Sequence, residues 1–116
     1  MVHQSLCDNA QADTSFKAAL RAFREIGHQR GVARELESLS WCATCQSRDE
    51  EAVALASAAA AIRQKIAAPP KPAERERIER TLAQARGRLS PEAYAEAWNR
   101  GHTSPLDGLL GSGSRV

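Results

Sequence analysis

The chain has 116 residues, 42% apolar but only 4% aromatic, and carries a formal net charge of +2 at pH 7. This length allows one domain, the alanine-rich composition favours packed helices over a β-sandwich, and the small charge gives no electrostatic case for direct nucleic-acid binding. No apolar run approaches the roughly 20 residues that span a bilayer, and the N-terminus lacks the pattern of a secretory signal. An odd number of cysteines argues against a disulfide framework, so we expect a cytoplasmic protein with no membrane partner.

Two helices are predicted in the first part of the chain. Apolar residues recur at helical spacing from Ala12 to Ile26, and Gly27 suits the left-handed residue that ends a helix. The link GHQRG is short, so the second helix, about Val32 to Gln46, is expected to turn back antiparallel. The predicted inward positions are Phe16, Ala19, Leu20, Phe23 and Ile26 in the first helix and Val32, Leu36, Leu39 and Ala43 in the second.

A third helix is predicted to end at about Ile66, before Pro69 and Pro70. Ser47 and Glu50 have the spacing of a capping box at its start. Its predicted inward positions are Val53, Ala56, Ala59, Ile62 and Ile66.

Two further helices are predicted before residue 102. Pro72 can open the fourth helix, Ser90 and Pro91 fit the cap and first position of the fifth, and Gly101 is expected to end it. Their predicted inward positions are Ile78, Leu82, Ala85, Leu89, Tyr94, Ala97 and Trp98. A shift of forty residues sets Ala12, Phe16, Ala19 and Ile26 over Ala52, Ala56, Ala59 and Ile66, as expected of an α-solenoid.

Seven small and large apolar positions have the spacing of a tetratricopeptide repeat: Leu36, Leu39, Ser40, Ala43, Ala52, Ala56 and Ala59. The stretches FREIGHQRGVARELESLS and IRQKIAAPPKPAERERIERTLAQARGRLSPEAYAEAWNRG resemble the repeats at the C-terminal ends of bacterial signalling regulators. These are LuxR-type and winged-helix transcriptional regulators and adenylate-cyclase-type ATPases. The resemblance covers residues 12–102 and implies an all-α, tetratricopeptide-like, short right-handed α-solenoid of about five helices.

The resemblance divides the chain into four segments and has two departures. The segments are an N-terminal stub of a truncated repeat (1–10), tetratricopeptide-like helices (11–68), a C-terminal helical hairpin (69–102), and a short turn with a disordered tail (103–116). The first hairpin lacks its leading helix, and Glu76 and Glu79 stand where large apolar residues are expected. Neither a phosphate-binding G-x-x-x-x-G-K-[ST] motif nor a convincing helix-turn-helix is present.

The stretch SWCATCQS, residues 40–47, contains a Cys-x-x-Cys motif that three kinds of site could explain. A redox dithiol needs a lowered thiol pKa, usually at a helix N-terminus, yet Cys42 and Cys45 are predicted near a helix C-terminus. A structural zinc site needs four ligands, and Cys7, His3, His28 and His102 are scattered singly. We therefore expect no metal, no cofactor and no enzymatic activity, with Cys42 as a small packing residue.

The remaining polar residues are expected to be structural or solvated. His28 and His102 are predicted to be solvated loop residues, and ERERIER, residues 74–80, a solvated helix face. Tyr94 and Trp98, four residues apart, are expected to form a core pair.

The favoured function is a non-enzymatic interaction or regulatory module that binds a protein or peptide partner, or a small effector, on its concave face. In the register of the repeat, that groove is lined by Arg34, Glu37, Trp41, Thr44 and Cys45. Trp and Arg are enriched in interface hot spots, although packing of Trp41 on a neighbouring repeat is an equal alternative.

Two alternatives stay open: a degenerate remnant that folds without a partner, and a zinc- or redox-linked protein that uses Cys42 and Cys45. Because the leading helix is missing, the stripe of Phe16, Leu20 and Phe23 is expected to be partly uncovered and to drive self-association through the N-terminal helix.

Overall fold

The computed structural model describes residues 10–103, of which residues 10–16 are described in backbone only. The described residues form five helices and no strand: α1 (Ala10–Glu25), α2 (Gln29–Cys45), α3 (Asp49–Ile66), α4 (Pro72–Arg88) and α5 (Pro91–Thr103). The all-α class is confirmed for this part of the chain, with helices close to the predicted bounds. The expected N-terminal stub, the turn around Leu106 to Leu110 and the tail lie outside it.

Three helix ends repeat one backbone geometry at intervals of 20 residues. Gly27, Ser47 and Ala67 follow α1, α2 and α3 with φ values of 72°, 62° and 52°. In each turn the amide of the next residue donates to the carbonyl oxygen five residues earlier: His28 to Phe23 at 2.9 Å, Arg48 to Ala43 at 2.8 Å, and Ala68 to Arg63 at 3.0 Å. This is the Schellman arrangement, and it confirms the left-handed role predicted for Gly27.

Glycine at the two non-glycine positions is expected to stabilise the fold. A left-handed conformation costs an ordinary residue about 1–2 kcal/mol, which the lower entropy of its unfolded chain offsets only in part. Ser47→Gly and Ala67→Gly should therefore each raise the free energy of unfolding by about 0.5–1 kcal/mol. Urea unfolding followed by circular dichroism measures this, with Gly27→Ala as the opposite control that should lose stability. Destabilisation by Ser47→Gly would contradict the left-handed turn.

The starts of α2 and α3 differ from expectation. The capping box of Ser47 and Glu50 is wrong: α3 begins at Asp49 behind Arg48, with no side-chain cap, because Ser47 is used to end α2. His28 is exposed, as predicted, but it also has a structural role, because its Nδ1 accepts a hydrogen bond from the Gly31 amide at 2.9 Å. It therefore caps α2, which begins at Gln29 rather than near Val32.

The first core joins α1, α2 and α3. It consists of Leu20, Val32, Ala33, Leu36, Leu39, Leu55, Ala58 and Ala59, with Phe23 and Ile62 packed against it. The Ser40 hydroxyl ties α2 to α3 by donating to the Ala52 carbonyl oxygen at 2.6 Å. All seven positions with tetratricopeptide spacing are buried.

The described part of the N-terminal stripe packs on the first core, contrary to the expectation for Leu20, and self-association through this helix stays a prediction. Leu20 is fully buried and Phe23 is half-buried, while the side chain of Phe16 is outside the described part. The prediction that Ile26 points inward is wrong: it is 74% exposed, because α1 ends one residue earlier and the chain turns at Gly27.

The second core docks α5 onto α3. Val53, Ala85 and Ala97 are buried there, with Leu82, Leu89, Tyr94 and Trp98 packed around them. The Ser57 hydroxyl donates to the Trp98 carbonyl oxygen at 2.6 Å. Helix α5 contacts α3 far more than it contacts α4, so residues 69–102 form two helices whose main packing partner is α3.

The expectation that Gly101 ends the last helix is wrong. It lies inside α5, which continues to Thr103, and it is buried where α5 crosses α3. An added Cβ atom at this position would overlap the Ala54 carbonyl oxygen and lie 2.7 Å from its carbonyl carbon and Cα. The glycine is thus required by a close approach of two helices. Ser90 and Pro91 do open α5 as predicted, since the Ser90 hydroxyl accepts the Ala93 amide at 3.1 Å.

Candidate functional site

An apolar groove of about 440 Å³ lies between α3, α4 and α5. Its lining residues are Glu37 from α2; Ala56, Ala60, Arg63 and Gln64 from α3; Ala67, Ala68, Pro69 and Pro70 from the link; Ile78 and Leu82 from α4; and Trp98 from α5. We call this site the α3–α4 groove. Nine of the twelve lining residues are apolar or aromatic, so apolar contact dominates what the groove can offer.

The groove exists because small side chains stand where the preceding helix pair has large ones. The forty-residue shift places Ala60 and Arg63 on the positions of Leu20 and Phe23. At the α1–α2 interface, Leu20 is fully buried and Phe23 packs on the core. At the α3–α4 interface, the corresponding alanine fills much less volume and the arginine turns to a charged partner. The space left open therefore has the size and character of large apolar side chains.

A buried ion pair, Glu37 with Arg63, contributes to the lining of the groove. Arg63 Nε donates to Glu37 Oε2 at 2.6 Å, and Arg63 Nη2 donates to Glu37 Oε1 at 3.0 Å. The two side chains are only 7% and 2% exposed, so the pair is bidentate and nearly dry. The hydrogen bond to Glu37 raises the pKa of Arg63 above its ordinary value and outweighs burial, which lowers it. The guanidinium is therefore held charged in an apolar setting.

Arg63 also holds the link between α3 and α4. Its Nη1 donates to the Ala68 carbonyl oxygen at 3.1 Å, and its Nη2 lies 3.5 Å from Glu74 Oε1. The same Glu74 oxygen accepts the Lys71 amide at 3.1 Å, at the start of α4. One arginine thus connects α2, α3, the link and the first turn of α4. It positions the wall of the groove.

The five residues predicted to line a binding face do not gather at this groove. Arg34 is exposed, Trp41 and Cys45 are half-buried, and Glu37 and Thr44 are buried. The Thr44 hydroxyl donates to the Ser40 carbonyl oxygen at 3.1 Å, within its own helix. Among the five, Glu37 alone lines the α3–α4 groove, so a binding role for the others stays a prediction.

Arg34 affects a neighbouring carboxyl group on α2. Burial raises the pKa of Glu35, and the positive charges of Arg34 and Arg77 oppose that rise. Glu35 is half-buried beside two arginines and is separate from the lining of the α3–α4 groove.

Cys42 and Cys45 lie on α2, as the helical pattern predicted. Cys42 is 1% exposed, and Cys45 is the last residue of α2, at the helix end that disfavours a thiolate. Neither forms a disulfide. Within residues 10–103 no three His, Cys, Asp or Glu side chains are grouped as metal ligands would be.

Trp98 is the aromatic residue whose role the sequence pattern missed. Tyr94 packs on the second core as expected, and its ring lies 5.0 Å from the Arg86 guanidinium carbon. Trp98 also packs there, but it lines the groove and stacks on His102 with ring centroids 6.3 Å apart. His102 belongs to α5 rather than to a loop, and its Nδ1 lies 3.4 Å from the Ser57 hydroxyl.

None of the described helices is both long enough and apolar enough to cross a membrane. No family model matches the chain, and neither a curated protein nor a solved structure matches it. The resemblance to bacterial regulators stays a prediction from the residues quoted above.

Proposed function

We propose that this chain is a non-enzymatic helical-repeat interaction module that binds an apolar segment of a partner protein in the α3–α4 groove. In this proposal it resembles the tetratricopeptide-like terminal part of a bacterial transcriptional regulator or signalling ATPase and acts by regulated binding. The groove is the single observation that carries the proposal, because its apolar walls surround a defined volume beside one buried ion pair.

The dimensions of the groove support binding. Its volume of about 440 Å³ lies within the range of ligand sites, which are mainly apolar with a few fixed polar groups. Ile78 and Leu82, four residues apart on α4, provide one aliphatic wall, and Trp98 provides an aromatic wall from α5. Because Leu20 and Phe23 fill the corresponding space between α1 and α2, side chains of that class fit best.

The ion pair supports binding rather than catalysis. Glu37 and Arg63 satisfy one another through two hydrogen bonds, so neither is poised to act on a substrate. Their role in the proposal is to fix the shape of the groove. The burial of all seven repeat-spaced positions supports the tetratricopeptide-like arrangement within the same proposal.

Filling the groove from inside should stabilise the protein and abolish binding. Ala60→Leu adds apolar volume to open space and should raise the free energy of unfolding by about 0.5–1 kcal/mol. The neighbouring Ala59 is fully buried in the first core, so Ala59→Leu should lower it by about 1–3 kcal/mol through overpacking. Urea unfolding of the two variants compares them directly. Equal destabilisation by both would contradict an open groove.

A peptide selection tests the binding proposal itself. Displayed random peptides selected on the full chain are expected to enrich leucine or phenylalanine at spacings of three or four residues. Enriched peptides should bind Ala60→Leu at least about tenfold more weakly, a loss of about 1.4 kcal/mol. The affinity of the same peptides for Arg34→Ala and Trp41→Ala, measured where circular dichroism shows unchanged helicity, tests binding at the predicted α2 face. Loss of binding with Trp41→Ala but not with Ala60→Leu would move the site to α2, and failure to enrich any peptide would favour the remnant.

A further inference from the structure

Residues 67–80, which comprise the link after α3 and the first half of α4, are packed more loosely than the helices beside them. None of these residues is buried, whereas α2 and α3 bury ten and nine residues. Burial resumes at Thr81 and Ala85, and Ala85 belongs to the second core. Segments with few buried contacts open at the lowest free-energy cost. We call residues 67–80 the flap.

The flap supplies much of the wall of the α3–α4 groove. Five of the twelve lining residues belong to it: Ala67, Ala68, Pro69, Pro70 and Ile78. The opposite walls lie on better-packed elements, with Ala56 on α3 and Trp98 on α5. No flap residue belongs to either core. Movement of the flap therefore changes the width of the groove while both cores stay packed.

Side-chain hydrogen bonds tie the flap to α3 and α2. Arg63 Nη1 donates to the Ala68 carbonyl oxygen at 3.1 Å, and Arg63 Nη2 lies 3.5 Å from Glu74 Oε1. From the flap, Arg77 Nη2 donates to Ser38 Oγ on α2 at 3.4 Å. The last two distances exceed the usual range of a hydrogen bond, so these two ties are weak.

Release of the ties leaves no buried charge without a partner. Arg63 can keep both of its bonds to Glu37, at 2.6 Å and 3.0 Å, when the flap moves away. The side chain of Glu74 is already 24% exposed and Arg77 is half-buried, so water can replace the bonds that they lose. The large penalty for separating a buried ion pair therefore does not oppose opening.

We propose that the flap is a lid of the α3–α4 groove that swings about Thr81 and admits the apolar segment of a partner when its ties to Arg63 and Ser38 release. The inference rests on the proposed function in naming what enters the groove, but movement of the flap does not depend on it. Because the partner binds the open state, its apparent affinity falls in proportion to the populated fraction of that state.

Acrylamide quenching of Trp98, measured on the full chain in a Trp41→Phe background, tests the inference because Trp98 lines the groove. The matched pair of variants is Arg77→Gln and Arg80→Gln. Both remove one positive charge from the flap, but Arg80 pairs with Glu76 inside the flap, at 4.0 Å. Arg77→Gln should raise the quenching constant at least about twofold by populating the open state, and Arg80→Gln should leave it unchanged.

Circular dichroism distinguishes movement of the flap from its unfolding, and helicity should be equal in all variants. Glu74→Gln weakens the tie to Arg63 and should raise the quenching of Trp98 as Arg77→Gln does. Equal quenching in Arg77→Gln and Arg80→Gln overturns the inference. So does increased quenching with lower helicity, because the flap would then unfold rather than move as a unit.

Peptide binding separates this inference from the proposed function. A peptide selected on the full chain should associate at least about threefold faster with Arg77→Gln than with Arg80→Gln, since more of the protein is then open. Equal association rates support the proposed function and overturn the lid. A difference in quenching with no selectable peptide supports the lid and counts against partner binding.

Discussion

Replacing Arg63 by methionine is expected to lower the free energy of unfolding by about 3–5 kcal/mol. The substitution removes the positive charge and leaves the Glu37 carboxylate, 2% exposed, without its bidentate partner. It also deprives the Ala68 carbonyl oxygen of a donor. Domains of this size are stable by only about 5–15 kcal/mol, so the loss should be plain in urea unfolding.

Removing both charges tests whether the loss comes from leaving one buried charge without its partner. Glu37→Leu combined with Arg63→Met should recover most of the loss, because a buried pair replaced by apolar residues of similar volume is often neutral or stabilising. Glu74→Gln is the milder control, since the Glu74 side chain is 24% exposed and only 3.5 Å from Arg63 Nη2. A double variant as unstable as Arg63→Met would show that the arginine acts mainly through the link, and additive single losses would contradict a coupled pair.

The local course of the chain could be predicted from sequence. The sequence predicts the left-handed turn at Gly27, the cap at Ser90 and the first helical position at Pro91, because each signal lies within a few residues of the backbone group that it satisfies. Burial of the repeat-spaced positions followed from helical periodicity for the same reason. Ser47 could either end α2 in a left-handed turn or cap the start of α3. It ends α2, and α3 begins without a side-chain cap.

The site could not be predicted because its chemistry joins distant residues. Glu37 and Arg63 are 26 positions apart, and no spacing rule pairs them. The repeat register of α2 predicts a groove on the helix face that carries Trp41. The open volume lies instead between α3 and α4. One signal was available: the forty-residue shift sets Ala60 and Arg63 against Leu20 and Phe23, and a loss of apolar volume at a repeated interface predicts a cavity.

Gly101 is a second case in which a contact between residues distant in sequence could not be predicted. A glycine near the end of a helical pattern indicates a helix end, and Gly27 fits that rule with a φ of 72°. Gly101 has the same local sequence signal, but it allows α5 to contact the backbone of Ala54, which is distant in sequence. Only the docking of α5 on α3 separates the two roles.

Gly101→Ala is therefore expected to destabilise the protein by about 3 kcal/mol, the upper part of the range for overpacked cores. The added methyl group would overlap backbone atoms of Ala54, which cannot move aside as a side chain can. Helix α5 must then shift away from α3, weakening the hydrogen bond from Ser57 to the Trp98 carbonyl oxygen. Urea unfolding measures the loss. The chain has two tryptophans, so the fluorescence of Trp98 in a Trp41→Phe background shows whether α5 has moved.

Gly87→Ala is the matched control, because Gly87 is also a helical glycine but its added Cβ atom meets nothing within 4 Å. Alanine has the higher helix propensity, so this variant should gain about 0.5–1 kcal/mol. Helix propensity would stabilise both variants alike, and only steric overlap at the helix crossing gives them opposite signs. A stabilising Gly101→Ala would mean that α5 does not pack closely on α3, and the groove wall formed by Trp98 would lose its support.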